Sequence, residues 1–250
     1  MKKTMTVLIT NDDGFESEGI KLLSKIALNF AMEVWIVAPN TDKSGTARAI
    51  TLKSISIKQH TEREFSISGT PAECIILALC KIMNKLPDLI LSGVNIGSNV
   101  GDDVCYSGTI GAAMEGAARS IPSIALSQTY NNRDSINFYN TKIFAQKIIT
   151  ELIETGWPKN VVMNVNFPAT EVIKGIKFSA QGEYNNRCNA SFIENVDHSF
   201  SLDWHRKNVH GSASVDMLNN GFITITPIKL DLTDYSTLNN MSRKKIFSIT

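Results

Sequence analysis

The sequence predicts an α/β fold in which a Rossmann-like, mostly parallel sheet carries helices on both faces and precedes a β-rich C-terminal extension. Up to residue 168, short apolar segments alternate with longer segments of helical periodicity, as in successive strand–helix units. After Pro168 the helical periodicity disappears and the sequence becomes β-like and irregular. We therefore predict a Rossmann-like core at residues 1–168 and a C-terminal extension at residues 169–250, integrated into a single domain.

The first half of the chain gives a local signal for each element. Val7-Leu8-Ile9 is a short apolar run typical of a buried parallel strand, and an apolar stripe at helical spacing follows it. Thr70-Pro71-Ala72-Glu73 combines a capping box with proline at the first helical position, so a helix begins there. The predicted elements are a strand at 7–9, a helix at 17–30, a strand at 35–38, a hairpin from 51–57 and 64–68, and a helix from 71.

The second half continues the alternation as far as Pro168. A helix is predicted over 135–155, with Tyr139, Ile143, Ile148 and Leu152 facing inward. The remaining predicted elements are a strand at 89–91, a helix at 108–119, strands at 123–127 and 161–165, and a strand at 222–226 within the extension.

The segment from Pro87 to Gly116 is the most informative part of the chain. Its apolar run ends abruptly in a stretch rich in Gly, Asn, Ser and Asp that leads into a helix. Recurrent glycines indicate unusual φ angles or a close approach to another group. A helix N-terminus presents free N–H groups and a partial positive charge, so this junction is a natural anion site. The predicted phosphate-binding residues are Ser107, Gly108 and Thr109, with Gly45 and Asn99 as additional contacts.

Two of these residues have an equally ordinary structural interpretation. Ser107 is also a typical helix cap, a role that is compatible with phosphate binding because the backbone donors stay available. Asn99 is also consistent with a loop residue that bonds its own backbone.

Polar residues follow three of the predicted strands at the point where each strand ends. In open α/β sheets, sites form in the crevice beyond the carboxyl ends of the strands, so these side chains are expected to converge. They offer only oxygen ligands, which suit Mg²⁺, Mn²⁺ or Ca²⁺ rather than zinc. An isolated Asp-Asp-Gly is more often a solvated turn, but two similar loops beside it favour a cation site. The converging residues are Asp12, Asp13, Ser44 and Asn95.

Four motifs, in order along the chain, resemble the SurE (survival protein E) family. They are NDDG after the first strand, APN-x-x-x-SG after the second, GTPAEC at the start of a helix, and SGVN-x-G-x-N-x-GDD-x-x-YSGT-x-GAAMEG. The resemblance is dense to about Ser127 and returns at residues 161–168 and 221–227. Members of that family are metal-dependent phosphatases that act on nucleoside monophosphates, so the resemblance implies the same activity for this chain.

The resemblance also implies a cofactor and an assembly. It makes the core catalytic, with one divalent cation per subunit, Mg²⁺ or Mn²⁺. C-terminal segments of the family reach across to neighbouring subunits, so a homodimer or homotetramer is implied, with the extension as an oligomerisation arm. The basic run at residues 243–245 is then either part of that arm or a frayed tail. The implied metal ligands are Asp12, Asp13, Ser44 and Asn95, of which Asp12, Asp13 and Asn95 act in catalysis through the metal.

Composition excludes several other classes of protein. Charged residues make up 20% of the 250 residues and the net charge is +1, so electrostatics favours neither a nucleic-acid polymer nor a membrane as partner. The apolar stretch at the start of the chain is too short for a signal peptide, and no segment approaches the ~20 apolar residues of a membrane helix. The cysteines have neither paired spacing nor a zinc pattern, which suits reduced thiols in the cytoplasm. They are Cys74, Cys80, Cys105 and Cys188.

The sequence offers no obvious general acid. The histidines stand outside the motif loops, and each is more typical of an exposed or packing residue. Adjacent carboxylates lack the D-x-D pattern of an enzyme that forms an aspartyl-phosphate, so direct attack by an activated water is favoured. Asp102 and Asp103 are equally consistent with orienting a water and with capping a turn. The histidines are His60, His198, His205 and His210.

The chain departs from the family pattern in three places. Ser44-Gly45 is followed by Thr46-Ala47-Arg48-Ala49 instead of small polar residues, and Arg48 either contacts an anionic substrate or faces solvent. Ser179-Ala180 precedes Gln181-Gly182 where relatives carry a Thr-Arg pair, and Ser212-Ala213-Ser214 replaces a Thr-Asp pair. These departures leave the metal ligands intact and bear on base preference and subunit contacts.

The sequence therefore predicts a divalent-metal-dependent phosphomonoesterase that hydrolyses nucleoside 5′-monophosphates, with 3′-monophosphates as a second substrate class. The rival interpretation is a non-catalytic nucleotide- or anion-binding module. An NAD or S-adenosylmethionine enzyme of similar fold is disfavoured, because NDDG lacks the G-x-G-x-x-G of a pyrophosphate site and adds negative charge.

Overall fold

A computed structural model describes residues 4–132, 136–182, 189–194, 200–205 and 213–243. Its strands are β1 (Thr6–Thr10), β2 (Glu33–Pro39), β3 (Ile57–Gln59), β4 (Glu64–Ile67), β5 (Leu89–Ile96), β6 (Ser123–Gln128), β7 (Val161–Phe167), β8 (Gly175–Phe178), β9 (Asn189–Glu194), β10 (Phe200–His205) and β11 (Phe222–Lys229). Its helices are α1 (Glu18–Ala27), α2 (Pro71–Leu77), α3 (Asp103–Tyr106), α4 (Gly108–Ala118), α5 (Tyr139–Thr155), α6 (Ala213–Asn219) and α7 (Tyr235–Arg243), and a π-helical turn, Ala78–Ile82, extends α2.

Nine strands form one sheet in the order β3-β4-β2-β1-β5-β6-β7-β11-β8. The six strands from β4 to β7 run parallel, while β3 and β11 are antiparallel to their neighbours β4 and β7. The predicted α/β fold with a mostly parallel sheet is therefore confirmed. Because the parallel strands share a direction, the loops after β1, β2, β5, β6 and β7 all emerge at one edge, called here the carboxyl edge.

Helices cover both faces of this sheet because the central strands are apolar on both sides. In β1, Val7 and Ile9 pack against α1 and its neighbour α5, whereas Leu8 points to the opposite face. That opposite face is covered by α2 and α4, which pack against each other. Each fully buried aliphatic side chain of this kind contributes about 1.5–3 kcal/mol, so the two layers hold the carboxyl edge rigidly.

The predicted capping box is present at the start of α2. The Thr70 hydroxyl accepts the Glu73 N–H at 3.2 Å, and the Glu73 carboxylate accepts the Thr70 N–H at 2.7 Å. The predicted hairpin also forms, but its first strand is β3, so residues 51–56 lie outside it.

The prediction that Tyr139 and Ile143 of α5 face inward was wrong. The helix begins at Tyr139, and the side chains of Tyr139 and Ile143 are 52% and 50% exposed, whereas Ile148 and Leu152 are buried. Tyr139 and Ile148 are nine residues apart, which is about two and a half turns of an α-helix. They therefore lie on opposite faces of the helix. The true stripe has its buried positions at Thr141, Ala145, Ile148, Ile149 and Leu152.

The C-terminal extension contains helices that the sequence analysis missed. Strand β11, predicted at 222–226, lies beside β7 in the main sheet and β8 follows it, while β9 and β10 form a separate two-stranded sheet. Helix α7 carries Tyr235, Leu238 and Met241 three residues apart, a helical spacing that the sequence does show. Within the described ranges, no helix is both long and apolar enough to span a bilayer.

Candidate functional site

Three loops pack against one another at the carboxyl edge, after β1, β2 and β5. The Phe15 N–H donates to the Pro39 carbonyl at 2.7 Å, and the Lys43 N–H donates to the Asp12 carbonyl at 2.7 Å. The Ile96 N–H donates to Asp13 Oδ2 at 3.3 Å. These contacts bring together the loops that carry the four predicted metal ligands, as the order of strands requires.

Asp12 is the most unusual side chain at this edge. It is only 3% exposed, and its Oδ1 accepts a hydrogen bond from the Thr109 hydroxyl at 2.5 Å. Burial raises the pKa of Asp12 from 3.8 to about 6, although hydrogen bonds from the Thr109 hydroxyl and backbone lower it, and the nearby charge of Asp42 raises it further. Asp12 is therefore a carboxyl group placed where its charged form is unfavourable in the protein alone.

The residues around Asp12 fit a hard divalent cation. Among the described residues, no lysine, arginine or histidine forms an ion pair with Asp12. The adjacent Asn11 Oδ1 is buried and has no hydrogen-bond partner. The described residues contain no cluster of three or more His, Cys, Asp or Glu suited to a metal, so this site combines two carboxylates with hydroxyl and amide oxygens. Such a donor set suits Mg²⁺ or Mn²⁺.

The other two predicted ligands are oriented by local hydrogen bonds. Ser44 is exposed, and its N–H and its hydroxyl both donate to Asp42 Oδ1, at 2.7 and 2.6 Å. Its hydroxyl proton is thereby held on Asp42, so the lone pairs of Ser44 Oγ stay available to a cation. The Asn95 side-chain amide donates an N–H to the Gly97 carbonyl at 2.8 Å, which leaves its side-chain oxygen available in the role predicted for it. The structure thus gives each of them a free oxygen.

The predicted phosphate binders lie at the start of α4. The Ser107 hydroxyl accepts the Ile110 N–H at 3.1 Å, so Ser107 is a helix cap, and the Thr109 hydroxyl is committed to Asp12. The Thr109 backbone also hydrogen-bonds to Asp12, and the Gly111 N–H donates to the Ser107 carbonyl at 2.9 Å. Among the described first-turn donors, the Gly108 N–H therefore remains for an anion. Gly45 is exposed in the loop beside Ser44.

Close approaches explain two glycines of α4. A Cβ at Gly108 would lie 2.9 Å from Asp12 Cβ and 3.1 Å from Pro71 Cγ. A Cβ at Gly111 would lie 2.3 Å from the Ala47 carbonyl oxygen. The glycines therefore let α4 dock onto both the Asp12 loop and the Ser44 loop, which carry predicted cation ligands.

Asn99 belongs to a buried network that sequence reasoning missed. Its N–H donates to Asn166 Oδ1 at 2.7 Å, its carbonyl accepts from Asn164 and Asn166, and its side-chain nitrogen donates to Ser127 Oγ at 2.8 Å. The signal was available, because two asparagines spaced by two on an apolar strand share one face. This network fixes the loop after β5, and it uses one N–H of the Asn99 side-chain amide.

The alternatives left open at Asp102 and Asp103 divide by burial. Asp102 is exposed at the N-terminus of α3 and makes no capping hydrogen bond, whereas Asp103 is buried.

His60 stacks on Phe15 at 4.2 Å, and its Nε2 lies 2.8 Å from Ser66 Oγ. His205 lies in β10, and His198, His210, Cys188 and Ser212 lie outside the described residues.

Arg48 is exposed, which is one of the two predicted alternatives, and it also makes a contact within the protein. It forms an ion pair with the buried Glu115 of α4 at 2.7 Å, and Arg119 is a second partner of the same carboxylate. Burial alone would raise the pKa of Glu115, but the two guanidinium groups hold it below its usual range. Arg48 therefore fastens the loop after Ser44 to α4.

Gln181, which follows the departure at Ser179-Ala180, contacts the glycine-rich loop. Gln181 accepts the Gly101 N–H at 3.0 Å through its carbonyl and donates its side-chain nitrogen to the Gly101 carbonyl at 2.9 Å. Ser214 donates its hydroxyl to the same Gln181 carbonyl at 2.8 Å. The C-terminal extension thus supports the loop that leads to α3 and α4.

Known proteins are similar to this chain over nearly its whole length. A family model described as Survival protein SurE matches residues 7–187. A protein named 5'-nucleotidase SurE from Wolbachia sp. subsp. Drosophila simulans (strain wRi) is 66% identical over 240 residues, which are 95% of both chains. One of the same name from Ehrlichia ruminantium (strain Gardel) is 43% identical over 254 residues, covering 96% of this chain and 100% of the relative.

The fold is also similar to a solved structure. The crystal structure of the SurE protein from Aquifex aeolicus matches with a TM-score of 0.81 at 31% identity, covering 96% of this chain and 99% of that chain. This coverage reaches well beyond residue 168, so the likeness includes the C-terminal extension.

Proposed function

Because the chain belongs to the survival protein SurE family, we propose that it is a divalent-metal-dependent phosphomonoesterase that hydrolyses nucleoside monophosphates to nucleoside and phosphate. The Wolbachia and Ehrlichia relatives are named 5'-nucleotidases, which supports the 5′-monophosphates as principal substrates. The observation that carries the proposal is the buried Asp12 carboxylate at the N-terminus of α4, which has a raised pKa and no cationic side-chain partner in the described part of the chain.

The residues proposed to hold the cation are Asp12, Asp13, Ser44 and Asn95. A divalent cation supplies positive charge that polarises a phosphoryl oxygen and lowers the pKa of water. The chain positions its ligands in advance. Thr109 holds the Asp12 carboxylate, the Ile96 N–H holds Asp13, and Asp42 holds the Ser44 hydroxyl. Mg²⁺ and Mn²⁺ are the proposed metals, because every ligand atom is an oxygen.

The phosphate is proposed to lie at the start of α4. The Gly108 N–H donates to a phosphate oxygen, and the helix dipole favours the negative charge. Ser107 keeps the first turn in register through its cap, and Asn99 and Gly45 are proposed as additional phosphate contacts. Because Asp12 is buried beneath Gly108 and bonded to Thr109, it is poorly placed as a nucleophile, which favours direct attack by water.

We also propose a cytoplasmic location and a homodimer or homotetramer. The described cysteines, Cys74, Cys80 and Cys105, are free thiols, as is typical of reducing compartments. The edge strand β8 carries an exposed Phe178, and α7 has no buried residue. A symmetric contact through the extension would cover both.

Phosphate release tests the proposed function. The chelator-treated protein is assayed with nucleoside 5′- and 3′-monophosphates, with Mg²⁺ or Mn²⁺ added back, beside Asp12→Asn and Glu62→Gln. We expect metal-dependent turnover in the parent and in Glu62→Gln, whose carboxylate is exposed, and loss of turnover in Asp12→Asn. Nucleotide binding without turnover in any metal would instead support the rival function, a non-catalytic nucleotide-binding module.

A further inference from the structure

We infer that a polar cavity at the carboxyl ends of β6 and β7 is the subsite for the nucleoside part of the substrate, an inference that rests on the proposed function. The cavity has a volume of about 680 Å³, which lies within the usual range for small-molecule sites. Its described walls come from residues 128–132 at the end of β6 and after it, from residues 136–140 at the start of α5, and from residues 169–172 after β7. Its lining includes Tyr130, Asn137, Tyr139, Asn140 and Glu171.

The cavity adjoins the proposed cation site through Gly97. The Gly97 carbonyl accepts the Asn95 side-chain amide at 2.8 Å, and the Gly97 N–H donates to the Gln128 carbonyl at 2.9 Å. A Cβ at Gly97 would lie 3.6 Å from Tyr130 Cε1, so the Tyr130 ring packs against Gly97. Asn95 is therefore only two contacts away from the cavity wall. A monophosphate bound at the carboxyl edge can extend its nucleoside towards this wall.

Two aromatic rings give the cavity a surface on which a base can stack. Tyr130 and Tyr139 line it and are 39% and 52% exposed, although tyrosines usually bury most of their ring. Exposed rings beside a concave polar site are typical of base-stacking platforms, because every base offers a π-face. An inward position for Tyr139 was predicted from the sequence. Its outward position in the first turn of α5 is what makes it available here.

Asn140 supplies a specific polar group. It is 2% exposed, and its side-chain nitrogen donates to the Pro168 and Thr170 carbonyls, both at 2.7 Å. Its Oδ1 is buried and has no hydrogen-bond partner. A buried unpaired acceptor on a cavity wall is satisfied by a ligand that brings a donor, such as a base N–H or a ribose hydroxyl.

Among the described lining residues, the charge favours a neutral ligand over a second phosphate. No lysine, arginine or histidine stands among the described lining residues, and Glu171 is their one charged side chain. A carboxylate accepts hydrogen bonds from the hydroxyls of a ribose and repels an anion. Asn137 already accepts the Tyr139 N–H through its Oδ1, so its amide nitrogen stays available as a donor. A nucleoside fits this combination of donors, acceptors and rings.

A second cavity, of about 410 Å³, is less suitable. It is lined by Phe15, Lys58 and His60 among others, and the rings of Phe15 and His60 stack on each other at 4.2 Å. The ring faces that Phe15 and His60 turn towards each other are therefore not available to stack on a base, and the positive charge of Lys58 favours an anion. Substitution of His60 is accordingly the matched control.

The first experiment compares two phosphate esters that differ by the base, AMP and ribose 5-phosphate, with Mn²⁺ present. In Tyr130→Ala and Tyr139→Ala, the ratio of kcat/KM for AMP to that for ribose 5-phosphate should fall by about tenfold or more, which is the loss expected for one stacked base. Tyr130→Phe, which keeps the ring, should retain most of the ratio, and His60→Ala should leave it unchanged. An unchanged ratio in both alanine variants, or a fall in His60→Ala alone, would overturn the assignment.

A binding measurement separates this inference from the proposed function. Calorimetric titration with adenosine should give binding to the parent that Tyr130→Ala weakens by about tenfold or more. If the parent binds adenosine through Tyr130 but releases no phosphate from any nucleotide, the subsite stands and the proposed function fails. If nucleotides are hydrolysed and adenosine binds equally well to the parent and to both alanine variants, the proposed function stands and the subsite is refuted.

Discussion

Replacing Asp12 by Asn should stabilise the metal-free protein at neutral pH while abolishing its activity. Burial raises the pKa of Asp12 from 3.8 to about 6, so the folded state disfavours the charged carboxylate. Each pKa unit corresponds to about 1.36 kcal/mol, so the rise of the Asp12 pKa from 3.8 to about 6 lowers the free energy of unfolding by about 3 kcal/mol once Asp12 is ionised. Asn is isosteric with Asp, can still accept the Thr109 hydroxyl bond, and carries no charge.

The sign of the pH dependence follows from proton binding. Between about pH 4 and pH 6 the unfolded chain has lost the Asp12 proton while the folded chain retains it, so the stability of the parent falls as pH rises. The stability of Asp12→Asn does not fall in this way, because the substituted side chain does not ionise. The stability difference should be small at pH 4, grow through that window, and level off at about 3 kcal/mol above pH 7. For a chain of this size, that difference corresponds to a rise in Tm of about 6–12 °C.

Urea unfolding with chelator present, at one protein concentration and at several pH values, measures the effect. Glu62→Gln, which removes an exposed carboxylate, should show no comparable pH-dependent gain. Added Mn²⁺ should raise the Tm of the parent much more than that of Asp12→Asn, since the substitution removes one of the two carboxylates proposed to bind the cation. If Asp12→Asn were no more stable than the parent at pH 8 without metal, the idea of an electrostatically unfavourable carboxylate at this position would be refuted.

Four further outcomes test other parts of the site. Asp42→Asn should weaken Mn²⁺ binding by about tenfold in calorimetry, because the Ser44 hydroxyl loses its charged acceptor; unchanged affinity would contradict that role. Gly108→Val should remove the Mn²⁺-induced rise in Tm, because its side chain would displace Asp12; a retained shift would argue against this packing. Asn166→Leu should lower the free energy of unfolding by about 1–3 kcal/mol in urea, because the buried Asn99 N–H loses its acceptor; no loss would show that the network is dispensable. Light scattering should show at least a dimer, and a stable active monomer at micromolar concentration would refute the proposed assembly.

The fold could be predicted because its signals are local and agree with one another. Apolar runs such as Val7-Leu8-Ile9 are buried on both faces, and the capping box at Thr70 starts α2 where expected. The extension was harder to predict because its signals are weak. Helix α7 is short and packs no residue into the core, and β11 enters the main sheet through long-range pairing with β7, which local sequence does not encode.

The sequence motifs predicted the candidate site residues but not the residues that hydrogen-bond to them. Residues at strand ends, such as Asp12 and Ser44, could be found because sheet topology places them at one edge. Their supporting partners could not, because Asp12 and Thr109 are 97 residues apart in sequence, and Asn99 and Asn166 are 67 apart. Such pairings depend on how α4 and β7 pack. The role of Arg48 was likewise hidden, because its partner Glu115 lies on a helix whose docking a single sequence does not reveal.

The start of α4 belongs to both the proposed cation site and the proposed phosphate site, which limits how their contributions can be separated. The Thr109 hydroxyl holds Asp12, Ser107 caps the turn, and Gly108 lies between Asp12 and the space for phosphate. Substitutions at Asp12 and Thr109 disturb one hydrogen bond from its two ends, so their effects on metal binding should combine to less than their sum. The nucleoside cavity is built from different elements, β6, β7 and α5. Substitution of Tyr130 should therefore add independently to substitutions at the start of α4, as expected of a separate subsite on the same rigid edge.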